Sequence, residues 1–201
     1  MKVVLLLSGG LDSTVLLADR VEQGDEVTAI SFDYGQKHRA KELSAARAIA
    51  RHYNRPHRVV GLSSLMLPSA LTGTMNIPTG HAEQPDATTV PARNMLLISA
   101  GAAIAEAEGA YEVLIGANAD DAAGYVDCRP KFIKAMQKAV LYGTDSGVKL
   151  HAPYLHMSKE HIVALGRSLS APIEMSWSCY RGGDEPCFNC GACESRKKAG
   201  A

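Results

Sequence analysis

The segment LLLSGGLDST at residues 5–14 combines residue types that suit a phosphate-binding loop. Glycines that follow a buried strand let backbone N–H groups approach an anion closely, and the next helix adds the positive end of its dipole. This segment matches neither the Walker pattern GxxxxGKS/T nor the dinucleotide pattern GxGxxG. Asp12 stands where a Walker loop carries its lysine, so we expect a nucleotide site of a different kind.

The hexapeptide SGGLDS resembles the loop of the pyrophosphate-loop ATPases, which cleave ATP to AMP and pyrophosphate. The resemblance implies that Asp12 orients the phosphates and associates with Mg²⁺. The residues implied to surround the nucleotide are Leu7, Ser8, Gly9, Gly10, Leu11, Asp12, Ser13 and Thr14. From the residues alone, the alternative is a strand-to-helix turn with a polar helix cap.

A second chemical signal is the group of cysteines near the C-terminus. Four of the five cysteines, Cys179, Cys187, Cys190 and Cys193, lie within fifteen residues, and the last three form CxxCxxC. Four thiolates at this spacing can close a tetrahedral shell around one structural Zn²⁺ per chain. An iron–sulfur cluster and unmetallated thiols are the alternatives. Cys128 stands apart, and we interpret it as a packed thiol rather than a nucleophile.

Alternating strands and helices must hold these residues in place. Apolar, β-rich runs predict five strands, within 2–7, 26–35, 57–62, 112–118 and 149–154. Helical spacing predicts helices within 14–22, 37–53, 94–109 and 131–143. Strands that alternate with helices form a parallel sheet with helices on both faces. The predicted fold is therefore α/β, a five-stranded parallel doubly wound sheet of the adenine nucleotide alpha hydrolase (HUP) type.

Two stretches break this alternation. Residues 63–89 are rich in proline, glycine and threonine and have little periodicity, which predicts a mobile lid loop over the carboxyl ends of the strands, where such sheets bind ligands. Periodicity fails again from Pro172. We therefore divide the chain into a nucleotide-binding domain, residues 1–171, and a small zinc-binding knuckle, residues 172–201.

Composition limits the classes of partner. The chain has 201 residues with 21 basic and 21 acidic side chains, so its net charge is zero. It lacks the broad basic field of a protein that binds nucleic acid directly. No segment approaches the ~18 consecutive apolar residues of a membrane span. The first residues lack the length and cleavage chemistry of a signal peptide, and we expect a cytoplasmic protein.

Five separated blocks resemble the 7-cyano-7-deazaguanine synthase family. They are SGGLDST at 8–14, FDYGQKH at 32–38, VPARN at 90–94, GANADDAAGYVDCRPKF at 116–132 and WSCYRGGDEPC at 177–187. Five blocks in order over nearly the whole chain are far more specific than any single one. The resemblance implies an ATP-dependent ligase of queuosine and deazapurine biosynthesis, which forms a homodimer. Such a ligase converts 7-carboxy-7-deazaguanine and ammonia to the nitrile through adenylated carboxylate and amide intermediates.

The resemblance and the residue chemistry assign roles to further polar residues. Asp12, Arg93 and Lys159 are the predicted catalytic residues, because a guanidinium and an ammonium can neutralise carboxylate or phosphate charge. The residues predicted to bind the substrate are Tyr34, Gln36, Arg93, Asn94, Asp121, Tyr125 and Asp127. The aspartates would accept hydrogen bonds from the guanine-like N–H edge, and the tyrosines would stack on the base. Each residue also has a structural alternative as a helix start, a helix cap or a core side chain.

Some positions depart from the family pattern. The family usually has an aromatic residue and a serine where Ala122 and Ala123 stand, an apolar residue at Asp120, and a glycine and an aspartate at Phe188 and Gly191. These changes spare the loop and the cysteines, but they leave open an enzyme that stops at the amide. A tRNA thiolase, which shares the loop, and a non-catalytic module whose knuckle binds a partner are further alternatives.

Overall fold

The centre of the molecule is a parallel sheet, seen in a computed structural model that describes residues 1–65, 68–80 and 85–201. Its strands are β1 Lys2–Leu6, β2 Glu26–Asp33, β3 His57–Gly61, β4 Glu112–Leu114 and β5 Lys149–His151. They pair in the order β3-β2-β1-β4-β5, and every pair is parallel. The predicted five-stranded parallel sheet is confirmed. Strands end one to several residues earlier than predicted, because the polar and small residues at their carboxyl ends turn away from the ladder.

Helices connect the strands and continue beyond the last one. In the described ranges the α-helices are α1 Leu11–Glu22, α2 Arg39–His52, α3 Pro85–Thr88, α4 Arg93–Glu108, α5 Ala119–Gly124, α6 Pro130–Tyr142, α7 Lys159–Ser168 and α8 Gly191–Lys198. Short 3-10 helices lie at Ser63–Leu65, Val126–Cys128 and Ile173–Met175. Along these ranges no helix combines the length and apolar character needed to cross a membrane.

Strand β1 separates two layers of helices. Val3 and Leu5 pack with side chains of α1, α2 and α7, whereas Val4 and Leu6 pack with side chains of α4 and α6. This alternation follows from the side-chain period of two in a strand, and a strand covered on both faces must be apolar throughout. The prediction of helices on both faces of the sheet is confirmed.

The C-terminal segment folds back onto the sheet domain. The backbone N–H of Trp177 donates to the carbonyl oxygen of Gly9 at 2.8 Å, and Ala199 is buried in the layer of α1 and α7. Helix α8 lay outside the predicted helices, because its polar sequence has no apolar period and its neighbouring cysteines hold it in place. The division at residue 171 stays a prediction.

Part of the predicted lid loop lies in the described ranges. Residues 66, 67 and 81–84 are outside them. Leu71 is buried among the side chains that pack on Val4 and Leu6. Gly80 forms a parallel bridge with Cys190. The described portion therefore contacts both the sheet domain and the cysteine segment.

Candidate active site

The loop after β1 is shaped by two glycines. Gly9 has φ +83°, and a Cβ at this position would lie 2.3 Å from the carbonyl oxygen of Glu42, so only glycine fits. Gly10 is the N-cap of α1, and its N–H donates to Ser8 Oγ at 3.1 Å. Helix α1 starts at Leu11, three residues earlier than predicted. The N-terminus of α1 therefore opens at the carboxyl end of β1, where it favours an anion.

A cavity of about 500 Å³ lies at the carboxyl ends of the strands. Residues from several parts of the chain line it, among them the loop, the segments after β2 and β4, the starts of α4 and α7, and the C-terminal segment. Of the loop residues predicted to surround the nucleotide, Leu7, Ser8, Gly10, Leu11, Asp12 and Ser13 line the cavity. Gly9 and Thr14 do not: the Gly9 carbonyl bonds Trp177, and the Thr14 hydroxyl donates to the Gly10 carbonyl at 2.8 Å.

A charged group joins the loop to the segment after β4. Lys159 Nζ lies 3.5 Å from Asp12 Oδ2 and 3.4 Å from Asp121 Oδ1. Burial raises the pKa of Asp12 to about 6; the Lys159 ammonium opposes this effect and the Asp121 carboxylate adds to it. Burial lowers the pKa of Lys159, but the two carboxylates outweigh burial and leave that pKa above its usual value. Lys159 is thus a stable cation at the mouth of the loop.

The other carboxylate oxygen of Asp12 fits a cation. Asp12 Oδ1 is buried, and no hydrogen-bond partner for it occurs among the residues that the structure describes. A buried carboxylate oxygen without a donor is costly, and carboxylates are preferred ligands of Mg²⁺. Asp12 therefore fits the role of a magnesium ligand.

A second polar group of the cavity is centred on Arg93 and Tyr34. Arg93 Nη1 donates to the Tyr34 hydroxyl at 3.1 Å, and the guanidinium lies 5.6 Å from the centre of the Tyr34 ring. Burial raises the pKa of Tyr34 to about 12, so this phenol stays protonated. The Tyr125 hydroxyl bonds Tyr180 and lies 2.9 Å from Thr88 Oγ1. A planar ligand with a polar edge could stack on these rings and form hydrogen bonds with these hydroxyls.

Asp127 and Asn94, which were predicted to bind the substrate, form hydrogen bonds with other groups of the protein. Asp127 Oδ2 accepts the backbone N–H of Asn94 at 2.9 Å, and Asp127 is absent from the cavity lining among the described residues. The Asn94 side-chain amide donates to the Asp127 carbonyl and to Cys128 Sγ, although Asn94 does line the cavity. Asp127 therefore holds the start of α4, and the geometry gives no support to its contact with the base. Burial raises the pKa of Cys128 to about 12, as expected of a packed thiol.

Gln36 lines the cavity, but its side-chain amide is hydrogen-bonded to residues in and near the turn after β2. Its Nε2 donates to the Phe32 carbonyl at 3.1 Å and to Glu42 Oε2 at 3.0 Å, and its Oε1 accepts the backbone N–H of Tyr34. These bonds use both amide hydrogens. Gln36 thus positions Tyr34 and Glu42.

The lining residues that were not predicted as site residues include His38, Glu42, Trp177 and Tyr180. His38, Trp177 and Tyr180 stand inside the recognised blocks FDYGQKH and WSCYRGGDEPC, so the blocks could have pointed to them. Glu42 lies outside every block. Only its position four residues after His38, one helical turn on, could have linked it to the site.

The four cysteine sulfurs form a compact group. All lie within 4.8 Å of one another, with Cys190 Sγ 3.6 Å and Cys187 Sγ 4.0 Å from Cys193 Sγ. Zn–S bonds of ~2.3 Å in a tetrahedron place sulfurs about 3.8 Å apart. These sulfurs therefore fit one tetrahedral ion and lie closer together than an iron–sulfur cluster requires. Backbone N–H groups of Cys187 and Tyr180 donate to the sulfurs of Cys179 and Cys190, as in thiolate sites.

Comparison with known proteins places this site in a family. The model for "Queuosine biosynthesis protein QueC" matches residues 2–201. A curated relative from Thermoplasma volcanium, 7-cyano-7-deazaguanine synthase, is 44% identical over 98% of this chain and 85% of its own length. A relative of the same name from Caldicellulosiruptor bescii is 43% identical over 99% of this chain and 92% of its own length.

Solved structures add evidence on the fold. NMN synthetase from Francisella tularensis superposes with a TM-score of 0.54 at 16% identity, over 90% of this chain and 68% of that one. A 4-thiouridine synthetase in complex with RNA and bound ATP has a TM-score of 0.50 at 19% identity, over 99% of this chain and 49% of that one. At these identities the likeness supports the α/β fold alone. The match of the family model from residue 2 to residue 201, with relatives at 44% and 43% identity, shows that the chain belongs to the QueC family of queuosine biosynthesis proteins.

Proposed function

We propose that the protein is a 7-cyano-7-deazaguanine synthase that uses ATP to convert 7-carboxy-7-deazaguanine and ammonia to the nitrile. The observation that carries this proposal is that one cavity contains both an anion-binding loop and an arginine flanked by tyrosines. The loop suits the phosphates of ATP, and Arg93 with its rings suits an aromatic carboxylate. The curated relatives carry the same activity in their names.

The chemistry requires two activations. A carboxylate is a poor electrophile, so one of its oxygens attacks the α-phosphorus of ATP and pyrophosphate leaves. Ammonia then attacks the carbonyl carbon, AMP leaves, and an amide forms. The amide oxygen attacks a second ATP in the same way, and loss of AMP and a proton gives the nitrile.

The phosphate end of the cavity supports both activations. Backbone N–H groups of the loop and the N-terminus of α1 bind the pyrophosphate as it leaves. Lys159 adds a fixed positive charge beside the loop. Asp12 would hold Mg²⁺ through its unpartnered oxygen, and the ion supplies charge neutralisation on the phosphates.

The base end of the cavity fixes the substrate. Arg93 binds the carboxylate and directs it toward the loop, while Tyr34 and Tyr125 contact the base. Asp121, which also pairs with Lys159, is the carboxylate that would accept from the guanine-like N–H edge. The four cysteines hold one structural Zn²⁺ per chain. The expectations of a homodimer and of a cytoplasmic location come from the family resemblance and the composition.

The test is the release of AMP and pyrophosphate in the presence of Mg-ATP. We expect release to depend on 7-carboxy-7-deazaguanine and mass spectrometry to show the nitrile once ammonia is added. Accumulation of the amide without nitrile would show an enzyme that stops halfway. Release of AMP and pyrophosphate that does not depend on the carboxylated base would contradict the proposed substrate.

Replacing Arg93 with lysine tests the carboxylate site. Lysine keeps the charge but loses the two-pronged geometry and the contact with the Tyr34 ring. We expect the KM for 7-carboxy-7-deazaguanine to rise about 30-fold, since a charge-assisted hydrogen bond contributes about 2 kcal/mol. The KM for ATP should stay unchanged. Arg47→Lys, on the exposed face of α2, is the matched control, and an equal rise in both variants would contradict this role.

A further inference from the structure

Glu42 lies between the two ends of the cavity. Its backbone carbonyl contacts the loop, since a Cβ on Gly9 would lie 2.3 Å from that oxygen. Its carboxylate reaches toward the other end: Oε2 accepts from Gln36, whose Oε1 accepts the N–H of Tyr34 at 3.0 Å. Tyr34 in turn contacts Arg93. The side chain of Glu42 therefore lines the cavity that contains both the loop and Arg93.

The other carboxylates of the cavity interact with Lys159. In the described part of the lining, the acidic residues are Asp12, Glu42, Asp120 and Asp121. Asp12 and Asp121 pair with Lys159, and Asp120 Oδ2 accepts the backbone N–H of Lys159 at 2.8 Å at the start of α7. Glu42 differs from them, because its carboxylate accepts from Gln36 and lies beside His38.

His38 equips Glu42 to take up a proton. The ring is buried, with Nδ1 3.1 Å from the Tyr180 carbonyl oxygen and Nε2 3.4 Å from Glu42 Oε1. A carbonyl oxygen only accepts, so Nδ1 carries the hydrogen, and in the neutral ring Nε2 faces the carboxylate with its lone pair. One added proton can then lie between Glu42 and His38.

We propose that Glu42, backed by His38, accepts a proton from the ammonium ion that enters the cavity. This inference rests on the proposed function. Ammonia is mostly protonated at neutral pH, and only the unprotonated form is a nucleophile. The N–H bond of ammonium breaks as the proton moves to Glu42. The freed lone pair then bonds to the carbonyl carbon of the acyl-adenylate, the bond from that carbon to the phosphate oxygen breaks, AMP leaves, and the nitrogen loses its extra proton to solvent.

The variant Glu42→Gln separates this role from a structural one. Glutamine keeps the size of the side chain and can still accept from Gln36, but it cannot take up a proton. We expect kcat/KM for ammonium to fall about 100-fold, as for the loss of a general base. Pyrophosphate release dependent on the carboxylated base, measured without ammonium, should be unchanged. Hydroxylamine, which is unprotonated at neutral pH, should still give the hydroxamate within about threefold of the wild-type rate.

Two further variants complete the design. Glu160→Gln removes an acidic residue from the first turn of α7, as Glu42→Gln does in α2, but at an exposed position, and should match wild type. His38→Asn can still donate to the Tyr180 carbonyl but loses the acceptor at Nε2, and should lower the ammonium rate about tenfold while sparing hydroxylamine.

Three results would overturn the inference. They are an unchanged ammonium rate in Glu42→Gln, equal losses with ammonium and hydroxylamine, and a loss of pyrophosphate release. If Glu42→Gln does not fold, the rates of His38→Asn with ammonium and with hydroxylamine decide instead. A wild-type protein that releases no pyrophosphate with the carboxylated base contradicts the proposed function itself, which is a separate outcome.

Discussion

The variant Asp12→Asn is expected to lose activity and to gain stability at neutral pH. Its kcat should fall about 1,000-fold, because asparagine lacks the charge that the phosphates and Mg²⁺ require in a buried site. Burial raises the pKa of Asp12 from 3.8 to about 6. The folded protein therefore binds more protons than the unfolded chain between these values, and the free energy of unfolding falls as pH rises through this window. By about pH 7 the loss is nearly complete, at about 3 kcal/mol for roughly two pKa units.

Unfolding in urea at pH 4 and pH 7 measures this effect. Asparagine resembles the neutral carboxyl group at every pH, so the variant and wild type should be almost equally stable at pH 4. At pH 7 the variant should be more stable by about 3 kcal/mol. Asp145→Asn, at an exposed position, should show no such difference. A variant that is less stable than wild type at pH 7 would mean that the pairing with Lys159 outweighs burial.

The sheet and its loop could be predicted because local sequence determines them. A continuous apolar run such as β1 has few uses other than a strand covered on both faces. The two glycines then mark the turn after the strand: Gly10 lines the cavity, and Gly9 lies against the backbone of α2. The same local reasoning placed the start of α1 too late, since the residues of the loop are polar and carry no apolar period.

The rest of the site depends on contacts between distant segments. The sequence predicts that Asp127 binds the base. In the structure its carboxylate accepts the backbone N–H of Asn94 at the start of α4. Glu42 had no motif at all, and it reaches the cavity because α2 packs against the loop. Tyr180 enters the site only because the cysteine segment folds back over the strand ends. Spacing along the chain contains none of this information.

Removing the proposed zinc is expected to abolish turnover while leaving the sheet folded. The cysteine segment makes two kinds of contact with the site: Trp177 N–H donates to Gly9 in the loop, and Tyr180 bonds Tyr125 at the base end. Cys179 and Cys190 lie in the same small cluster as these two aromatic residues. In contrast, the apolar layers on both faces of β1 are formed mainly by the sheet and its own helices.

Cys190→Ser, or treatment with a chelator, tests this separation. We expect wild type to contain one zinc per chain and the variant to contain none, since a four-thiolate shell rarely survives loss of a buried ligand. Hydrogen exchange should accelerate in residues 172–201, and turnover should fall below detection. Strands β1 and β2 should stay protected. Cys128→Ser, outside the cluster, should keep its zinc.

The protection of β1 and β2 decides what the proposed zinc does in this protein. If these strands lost protection together with residues 172–201, the metal would be needed for the whole fold, as in small metal-dependent domains. If metal-free protein kept full turnover, the contacts of Trp177 and Tyr180 would not depend on the metal. Loss of turnover with an intact sheet instead assigns the metal to the assembly of the site: it holds one wall of the cavity against the loop.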